Sequence, residues 1–484
     1  MPPAEGGGME INMSRVKFKK YGIVFIGYIV LAVVFLLIGG KQLREIEQVE
    51  SGTVSKGIIP EFTVGQTVEQ PFTTNMDELR QISFMTATYG RQNKGNMALT
   101  IETAESNSIL AHQIVDVATM EDNAEFVWTF DTPIQGYKGQ ELLLKLVSEC
   151  ETGQAVTLYY GDVLNGQKPM SVNGQPFTGQ LHLIVNGIKY SLFGTYYWLW
   201  VIGVGAILLA YMLWSDYQEH RGKLTKGKLI FVIWKKYNFL IEQLVVRDFK
   251  TKYKRSVLGY LWSFLNPLLT MLVQYIVFST IFKSGIENYP VYLLTGIILF
   301  NFFSEAVGQG LGAIVFNASL ITKVYVPKYI YPVTKVASTS INLFISIIPL
   351  LLVTMMTGVK ITPAILLLPF VLGCLLLFCV GMVLMLSAAM VFFRDTQYLW
   401  GIISMVWMYA TPLFYPENII PSQFRFIQTL NPMYHMIKFA RTIFIDGVSP
   451  EPMLYGTCIL SAVVTCVIGA IVFKKTQNKF VLYI

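Results

Sequence analysis

Long apolar runs limit what this chain can fold into more than any other feature. A helix that crosses a bilayer needs about 20 consecutive apolar residues. Runs of this kind occupy 21–39, 196–214, 257–282, 290–314, 331–357, 363–391, 397–415 and 453–473. Only 14% of the 484 residues are charged, against about a quarter in soluble domains. The sequence therefore predicts a polytopic α-helical membrane protein with about eight spans. No small-residue cleavage pattern follows the first run, so we expect an uncleaved anchor.

Basic residues are distributed unevenly between the segments that join the spans. Residues 41–195 hold 10 Lys and Arg against 18 Asp and Glu, a net charge of −8, so with a total of +7 the rest of the chain carries +15. Residues 1–20 end in a basic cluster, and residues 215–256 contain eleven Lys and Arg. Because basic flanks stay in the cytoplasm, we predict a multi-pass protein of the cytoplasmic (plasma or inner) membrane. Both termini are then cytoplasmic, and residues 41–195 lie outside.

The outside segment, 40–195, alternates apolar and polar residues in short runs such as "EFVWTFD", "ELLLKLVSE" and "AVTLYYGD". Such alternation, bounded by Gly, Asn, Asp and Pro, is typical of half-buried strands. Six or more runs predict an extracytoplasmic all-β sandwich, jelly-roll-like by analogy. Cys150 is its one cysteine, so no internal disulfide is expected, and no cysteine in the chain has metal-ligand spacing.

An amphipathic helix is predicted at 229–249, within the cytoplasmic segment 215–256. Lys235, Lys236, Glu242 and Arg247 interrupt its apolar residues, so it should lie in the headgroup layer instead of spanning. The Lys and Arg cluster that follows would meet anionic membrane lipids. A plain basic flank is the alternative, but it does not explain the amphipathic run.

Four stretches of the second half resemble one known family. They are "VVRDFKTKYKRSVLGYLWSFLNPLLTMLVQYIVFSTIFK" from residue 245, "NFFSEAVGQGLGAIVFNASLITKVYVPKYIYPV" (301–333), "VFFRDTQYLWGIISMVWMYATPLFYP" (391–416) and "LNPMYHMIKFAR" (430–441). Together they resemble, in order, the permease subunits of ABC exporters for polysaccharides such as O-antigen and for teichoic acids. The resemblance covers about 230–484. Residues 1–215, with two spans and an ectodomain, depart from the minimal permease.

The resemblance implies a homodimer with a six-span permease domain at 257–484 in each subunit. Two separate ABC ATPase subunits would bind ATP and Mg and drive transport. This chain has no G-x-x-x-x-G-K-[ST] motif, so we expect a transport subunit and not an enzyme, with no cofactor of its own. The expected substrate is a lipid-linked polysaccharide or teichoic-acid-type polymer, moved from the cytoplasm to the outer face. No nucleic acid partner is expected.

The cytoplasmic loop at 317–332 resembles the coupling helix that docks on the ATPase. Asn317 or Ser319 is expected to cap a short helix there, and Pro327 to end it. The candidate coupling residues are Asn317, Leu320, Lys323, Val324, Tyr325 and Lys328. A plain loop is the alternative.

A sugar pathway needs aromatic rings for the apolar faces of pyranoses and polar groups for their hydroxyls. In the family, the spans at 257–282 and 397–415 line the channel. The candidates are Tyr260, Trp262, Phe264, Tyr275, Tyr398, Trp407 and Tyr409, with Trp262 and Tyr409 preferred because they lie inside their spans. Aromatic rings at bilayer interfaces are the ordinary alternative.

The external segment at 416–440 is too polar to cross a membrane and too apolar for a free loop. Two short half-helices broken by prolines would suit it, because irregular backbone is tolerated at membrane depth only when protein or water satisfies it. The candidate gate residues are Tyr415, Pro416, Pro421, Asn431 and Pro432. Glu305 lies well inside a span, where an acid is either functional or paired with a neighbouring helix.

Two loops of the ectodomain carry residue types that carbohydrate sites use. The candidate glycan ligands are Tyr89, Arg91, Asn93, Asp122, Asn123 and Trp128. The alternatives are that Trp128 belongs to the core and the loops are merely solvated, or that two ectodomains contact each other. For the whole chain, a polytopic glycosyltransferase or a membrane-anchored glycan receptor are the other functions considered. The sequence does not identify the glycan.

Overall fold

The structure, a computed structural model, describes residues 6–164, 167–223, 225–254, 256–282, 286, 288–323, 326–420 and 422–483. The chain divides into two compact units. We call Arg44–Thr195 the β-domain, and Met1–Leu43 with Tyr196–Ile484 the membrane unit.

The β-domain is built from short antiparallel strands. They are β1 (Glu45–Ser51), β2 (Ser55–Ile58), β3 (Thr67–Thr73), β4 (Glu78–Ala87), β5 (Asn96–Thr103), β6 (Ile109–Asp116), β7 (Ala124–Gln135), β8 (Glu141–Ser148), β9 (Thr157–Gly161), β10 (Ser171–Val172), β11 (Gln175–Pro176), β12 (Gln180–Leu181) and β13 (Leu183–Tyr190). One sheet has the order β1-β13-β4-β9-β12, with β2 on β9 and β7 on β4, and the other has the order β11-β10-β3-β8-β5-β6. The first and last long strands pair, with Glu45 opposite Tyr190.

The two sheets enclose one apolar core, as the alternating sequence requires. In β8, "ELLLKLVS", Leu142, Leu144 and Leu146 are buried while their neighbours are partly exposed. Successive side chains of a strand point to opposite faces, so one face of β8 meets the core. Phe84 of β4 and Trp128 of β7, from the other sheet, belong to the same cluster. The predicted all-β sandwich is therefore confirmed.

The remaining elements are helical. They are α1 (Gly6–Gly39), α2 (Leu192–Thr195), α3 (Tyr197–His220), α4 (Lys226–Tyr253), α5 (Trp262–Phe282), α6 (Tyr289–Leu311), α7 (Ala318–Lys323), α8 (Ile330–Met356), α9 (Leu368–Phe392), α10 (Thr396–Ala410), α11 (Arg425–Leu430), α12 (Pro432–Arg441), α13 (Pro452–Thr476) and α14 (Phe480–Tyr483). Short 3₁₀ turns precede α5, α7 and α9.

Seven helical stretches of the described residues are long and apolar enough to cross a membrane. They are Tyr21–Leu43, Tyr197–His220, Gly259–Phe278, Tyr289–Leu311, Ile330–Met356, Pro363–Phe392 and Pro452–Tyr483. They coincide with seven predicted runs and confirm a polytopic helical protein.

The eighth predicted run, 397–415, contains a shorter helix than the sequence indicated. Helix α10 has 15 residues, about 22 Å at 1.5 Å per residue, against a hydrocarbon core of about 30 Å. It ends because Pro412 follows Thr411, and the residue before a proline is disfavoured in the helical region. Thr411 is extended, with φ −101° and ψ 129°.

Helix α4 covers and extends the predicted amphipathic segment. On one face, Leu244 is buried in a cluster with Ile314 and Tyr331. On the rest of its surface, Phe231, Trp234 and Phe239 are exposed. Exposed rings beside lysines are typical of a helix at a membrane interface.

Helices α9 and α13 pack with their backbones close together. A Cβ placed on Gly469 would collide with the carbonyl oxygen of Gly381. Small residues of this kind allow close helix contact where no hydrophobic effect drives association.

Candidate functional site

The turn after α10 is irregular backbone whose carbonyl groups are satisfied by side chains of α6. The Tyr289 hydroxyl donates to the carbonyl of Phe414 at 2.6 Å. The Tyr292 hydroxyl donates to the carbonyls of Pro412, at 3.1 Å, and Tyr415, at 2.8 Å. Buried backbone carbonyls need such partners, so the two tyrosines hold the turn against α6.

Arg441, at the end of α12, completes this arrangement and is only 6% exposed. Its guanidinium donates to the carbonyls of Pro412 at 2.8 Å and Leu413 at 3.2 Å, and to that of Tyr292 at 3.3 Å. It also lies over the Tyr292 ring, 3.4 Å from the centroid. A buried charge needs several donors or acceptors around it, so Arg441 locks α12, α6 and the turn together. Arg441 was not among the predicted site residues, although an arginine among apolar residues was a usable signal.

Asn431 joins the two short helices of the external segment. Its Oδ1 accepts hydrogen bonds from the backbone N–H groups of Met433, at 3.0 Å, and Tyr434, at 3.4 Å, and from Nε1 of Trp407, at 2.7 Å. Its Nδ2 donates to Thr411 Oγ1 at 2.8 Å. An asparagine with these contacts is an N-cap, and here it also fastens α12 to α10.

The other predicted gate residues lie around this joint. Pro432 begins α12, and Pro416 precedes a 3₁₀ turn at Glu417–Ile419. The Tyr415 hydroxyl donates to the carbonyl of Tyr409 at 2.7 Å. Pro421 lies outside the described residues. The segment therefore contains two short helices, α11 and α12, and its role as a gate stays a prediction.

The predicted channel rings divide into three groups. Tyr398 and Tyr409 of α10 are strongly exposed, and Trp262 and Tyr275 of α5 are partly so, while Phe264 is half-buried. Tyr260 stacks on Phe249 of α4 with ring centroids 5.0 Å apart. The exposed rings are available for a ligand, for lipid or for another chain.

Trp407 differs from the other predicted channel rings. Its ring packs edge-on against Phe303 of α6 at 5.0 Å and against Phe378 of α9 at 6.2 Å. Its only polar atom donates to Asn431. Trp407 therefore supports the external segment, and its expected place among the rings that face the channel stays a prediction.

The predicted coupling segment carries a short helix, α7, with an exposed outer surface. Leu320 and Lys323 are exposed, and Phe316, just before the helix, is 75% exposed. Asn317 does not cap α7, because its amide donates back to the carbonyl of Ala313 at 2.8 Å. Phe316 was not among the predicted coupling residues, although a phenylalanine directly before the predicted coupling loop was a signal.

The remaining coupling candidates have other surroundings. Lys328 donates to the carbonyl of Gln477 at 2.7 Å and lies near the Phe480 ring. Burial lowers the pKa of this lysine. Lys328 therefore contacts the segment that carries α14, and its expected role as a docking contact stays a prediction. Val324 and Tyr325 lie outside the described residues.

Charged groups of α4 link this segment to the spans. Arg247 donates to Asn317 Oδ1 at 3.4 Å and to Asp248 at 3.0 Å. Asp248 also lies 2.7 Å from Lys335 Nζ of α8, and both side chains are largely shielded. One turn further along α4, Lys252 lies 2.6 Å from Glu305 of α6. Glu305 is thus paired with a neighbouring helix, which is one of the two interpretations considered for an acid inside a span.

The predicted glycan residues of the β-domain lie in two adjacent loops. Asp122 Oδ1 accepts from the backbone N–H and the hydroxyl of Thr88, at 2.6 and 3.1 Å. These hydrogen bonds, led by the backbone N–H, lower the pKa of Asp122. Tyr89 follows in the left-handed region, φ 59°, which is unusual for an aromatic residue, and its ring is exposed.

Arg91 holds the Tyr89 ring from one side. Its guanidinium lies 5.0 Å from the ring centroid and is itself fixed by an ion pair with Glu61 and by hydrogen bonds to Asn93 and to the carbonyl of Ala155. Asn93 is buried, so it positions Arg91 and does not face solvent.

Trp128 does not belong to this surface. It is 3% exposed and packs edge-on against Phe130 within the sandwich core. The expectation of a ligand-facing Trp128 was wrong, and the alternative reading as a core residue is correct. Asn123, by contrast, is exposed and accepts from the Tyr159 hydroxyl.

Within the described ranges, no group of three or more His, Cys, Asp and Glu side chains is arranged to hold a metal. The chemistry offered by both units is hydrogen bonding, aromatic stacking and ion pairing.

Known proteins resemble the membrane unit. The sequence profile of the family described as "ABC-2 type transporter" matches residues 240–445. The O-antigen export system permease protein RfbA of Klebsiella pneumoniae is 31% identical over 256 residues, which are 51% of this chain and 96% of that protein. RfbA of Myxococcus xanthus is 31% identical over 248 residues, 50% of this chain and 95% of that protein. The polysialic acid transport protein KpsM of Escherichia coli is 26% identical over 245 residues, which are 49% of this chain and 93% of that protein.

The helical spans and these matches define the class: the chain belongs to the ABC-2 type transporters and is a membrane permease. Within that class its relatives are permeases of O-antigen and capsule-type polysaccharide export. The expected resemblance to polysaccharide exporters is confirmed. More than half of this chain, including the β-domain, lies outside the matched family profile.

Proposed function

We propose that the chain is the transmembrane subunit of an ATP-driven exporter that moves a lipid-linked polysaccharide, or a teichoic-acid-type polymer, from the cytoplasm to the outer face of the membrane. It acts as a homodimer with two separate ABC ATPase subunits. The observation that carries the proposal is the match to O-antigen permeases over 96% of their length. The exposed rings of α5 and α10 support it, because sugar faces stack on such rings.

Coupling to the ATPase runs through α7 and α4 in this proposal. The exposed Phe316, Leu320 and Lys323 offer an apolar contact beside a positive charge. Behind them, Arg247 and Asp248 connect the segment to α8 through Asn317 and Lys335. Movement of α7 is thereby transmitted to the membrane spans through packed helices.

The β-domain binds the exported glycan outside the membrane. The supporting observation is the Tyr89 ring, which is exposed yet held by Arg91 and by a loop fastened through Asp122. A ring fixed before binding loses little entropy when it stacks on a sugar. Contact between two β-domains is the alternative, which a domain that binds no glycan would favour.

Export itself tests the proposal. A host that lacks this chain should stop displaying its surface polysaccharide and accumulate the lipid-linked polymer inside, and the full-length chain should restore display. Restoration should also need an intact Walker motif in the partner ATPase. Normal display without this chain, or full restoration with an inactive ATPase, would refute the proposed function.

A further inference from the structure

Helix α6 exposes an unusual set of residues for a membrane span. All of its residues are described, and only Asn301, Gly308 and Gln309 are exposed. Glu305 lies between them on the same face and is half-buried. Polar groups inside a span face a bundle interior or a water-filled cavity and not lipid. The open side of α6 therefore faces water, a polar ligand or the interior of a larger helix bundle.

Polar side chains of α5 and α8 meet this face. They repeat at helical spacing, so each helix contributes one stripe. The stripes and their neighbours line a cleft of about 130 Å³ formed by Lys252, Trp262, Ser263, Asn266, Pro267, Ile298, Asn301, Phe302, Glu305, Thr339, Asn342, Leu343 and Ser346. A cleft of this volume has room for several waters, and therefore for a polar ligand of similar extent.

Pro267 explains part of how the cleft is built. A proline in a helix has no N–H for the carbonyl four residues earlier, which here is that of Ser263. Ser346 of α8 donates to this carbonyl at 3.1 Å, and the Ser263 hydroxyl donates to Asn342 Oδ1 at 3.0 Å. Helices α5 and α8 are therefore fixed to each other by hydrogen bonds, and the cleft beside them is preformed.

One end of the cleft is neutral although it contains charges. Lys252 lies 2.6 Å from Glu305, and Gln309 donates to the same carboxylate at 2.7 Å. Each charge is compensated, so the lining as a whole offers amides, hydroxyls and one indole. Such a surface suits hydroxyl groups, whereas a phosphate would compete with Glu305 for the lysine.

From this geometry we infer that the cleft between α5, α6 and α8 binds an uncharged sugar unit of the transported polymer, an inference that rests on the proposed function. Trp262, partly exposed at the edge, offers a ring for the apolar face of the sugar. Asn301 offers its amide to the hydroxyls, since it makes no hydrogen bond within the described part of the chain. The Lys252–Glu305 pair disfavours a phosphate headgroup in the cleft, because the lysine is already paired with a carboxylate.

The stripe on α5 continues beyond the cleft. Asn266, Thr270 and Gln274 follow one another at four-residue intervals, and Thr270 donates to Asn266 Oδ1 at 3.4 Å. The buried Oε1 of Gln274 has no hydrogen-bond partner among the described residues. The polar stripe of α5 is therefore longer than the part that lines the cleft.

Photolabelling of the full-length chain in lipid nanodiscs tests the inference. The probes are a photoreactive alkyl glucoside and a photoreactive alkyl phosphate of equal chain length, and labelled peptides are mapped by mass spectrometry. The glucoside should label peptides that contain Trp262, Asn301 or Asn342 about tenfold more than the phosphate does. An excess of unlabelled alkyl glucoside should abolish the label.

Asn301→Leu should lower glucoside labelling about tenfold, the effect expected for one lost hydrogen bond to a ligand. Asn301→Gln should retain most of it. The matched control is Thr457→Val, because the Thr457 hydroxyl donates within α13, to the carbonyl of Leu454 at 3.0 Å. Labelling should not change in this variant. The Asn301 side chain makes no hydrogen bond with the described residues, so the leucine variant should fold normally, which gel filtration verifies.

Three results would overturn the inference: no labelling of these peptides, equal or stronger labelling by the phosphate, or an unchanged label in Asn301→Leu. Its failure is separable from failure of the proposed function. If the wild-type chain restores polysaccharide display while the cleft stays unlabelled, only the cleft assignment is wrong. If display does not depend on the chain at all, the proposed function is wrong.

Discussion

Trp407 Nε1 donates to Asn431 Oδ1 at 2.7 Å, across the junction between α10 and the external segment. The same oxygen caps α12. One amide thus fixes both the end of a helix and the position of an indole that is packed against Phe303 and Phe378. Movement of the external segment relative to α10 has to break this hydrogen bond.

We predict that Asn431→Ala destabilises the full-length chain by about 2 kcal/mol, because it removes an N-cap and leaves the indole N–H unpaired. Asn431→Asp keeps an oxygen that accepts from the α12 backbone and from the Trp407 indole. It should therefore lose less than half as much unfolding free energy. Thermal unfolding of the purified chain in detergent measures the difference. Equal loss in both variants would show that the Trp407 bond and the cap do not matter.

Charge reversal at Lys323 should reduce stimulation of the partner ATPase at least fivefold, since the exposed α7 is the proposed docking surface. Lys360→Glu is the matched control, because Lys360 is also an exposed lysine but lies in the loop after α8, away from α7 in the sequence. ATPase rates of the reconstituted complex provide the measurement. If both reversals act equally, the effect comes from overall charge and not from docking at α7.

The Asp248–Lys335 pair should contribute more to stability than an exposed pair, because its side chains are only 11% and 18% exposed. Asp248→Asn leaves a shielded lysine uncompensated and should lower the unfolding free energy by about 2 kcal/mol. The double variant with Lys335→Met should recover part of this loss. Glu219→Gln, which weakens the more exposed pair with Lys228, should change it by less than about 1 kcal/mol. Additive losses in the double variant would argue against direct coupling.

Tyr89→Gly separates folding from binding in the β-domain. Glycine removes the strain of the left-handed backbone conformation but increases the conformational entropy of the unfolded chain. The two effects oppose each other, so the unfolding free energy should stay within about 1 kcal/mol of the wild-type value. Glycan binding should fall at least tenfold with the ring removed, whereas Tyr89→Phe should bind nearly normally. Titration of the soluble segment 41–195 with the host polysaccharide measures binding. Unchanged affinity in Tyr89→Gly would leave contact between β-domains as the better account.

Asp122 should make the β-domain sensitive to acid. Hydrogen bonds from Thr88 lower its folded-state pKa below the ordinary value of 3.8. A depressed pKa means that the stabilisation is present above about pH 4 and is lost as the pH falls through the folded-state pKa. The melting temperature of Asp122→Asn should therefore fall less between pH 7 and pH 3 than that of the wild type. Asp131→Asn, an exposed residue without a hydrogen bond in the described structure, should behave like the wild type.

The apolar runs and the strand alternation were sufficient to predict both fold classes. A membrane span is a continuous apolar run, and a strand with one buried face alternates apolar and polar residues, so both patterns can be recognised in the sequence. In β7 the alternation does not show which face of the strand is buried. Period 2 places Trp128 and Phe130 on one face, but Val127 on the other face is apolar too. Only the position of the second sheet decides which face is inward, and that depends on residues distant in sequence.

The external segment shows a similar division. Asn431-Pro432 is a helix-start signal that sequence can supply, since asparagine caps and proline suits the first turn. Arg441 could not be interpreted in this way. Its acceptors belong to Tyr292, Pro412 and Leu413, and no local pattern indicates that these carbonyls converge.

The pairing of β1 with β13 has a consequence for how such a protein can arise. With Glu45 opposite Tyr190, the chain enters and leaves the β-domain at neighbouring positions. Within the membrane unit, α1 and α3 are joined by hydrogen bonds from Tyr28 to the carbonyl of Val201 and from Tyr197 to that of Ala32, both 2.6 Å. The strands that open and close the β-domain are therefore paired with each other, and so are the helices that precede and follow it in the sequence. Exchange of residues 6–223 between two permeases would keep both pairings inside the transferred segment.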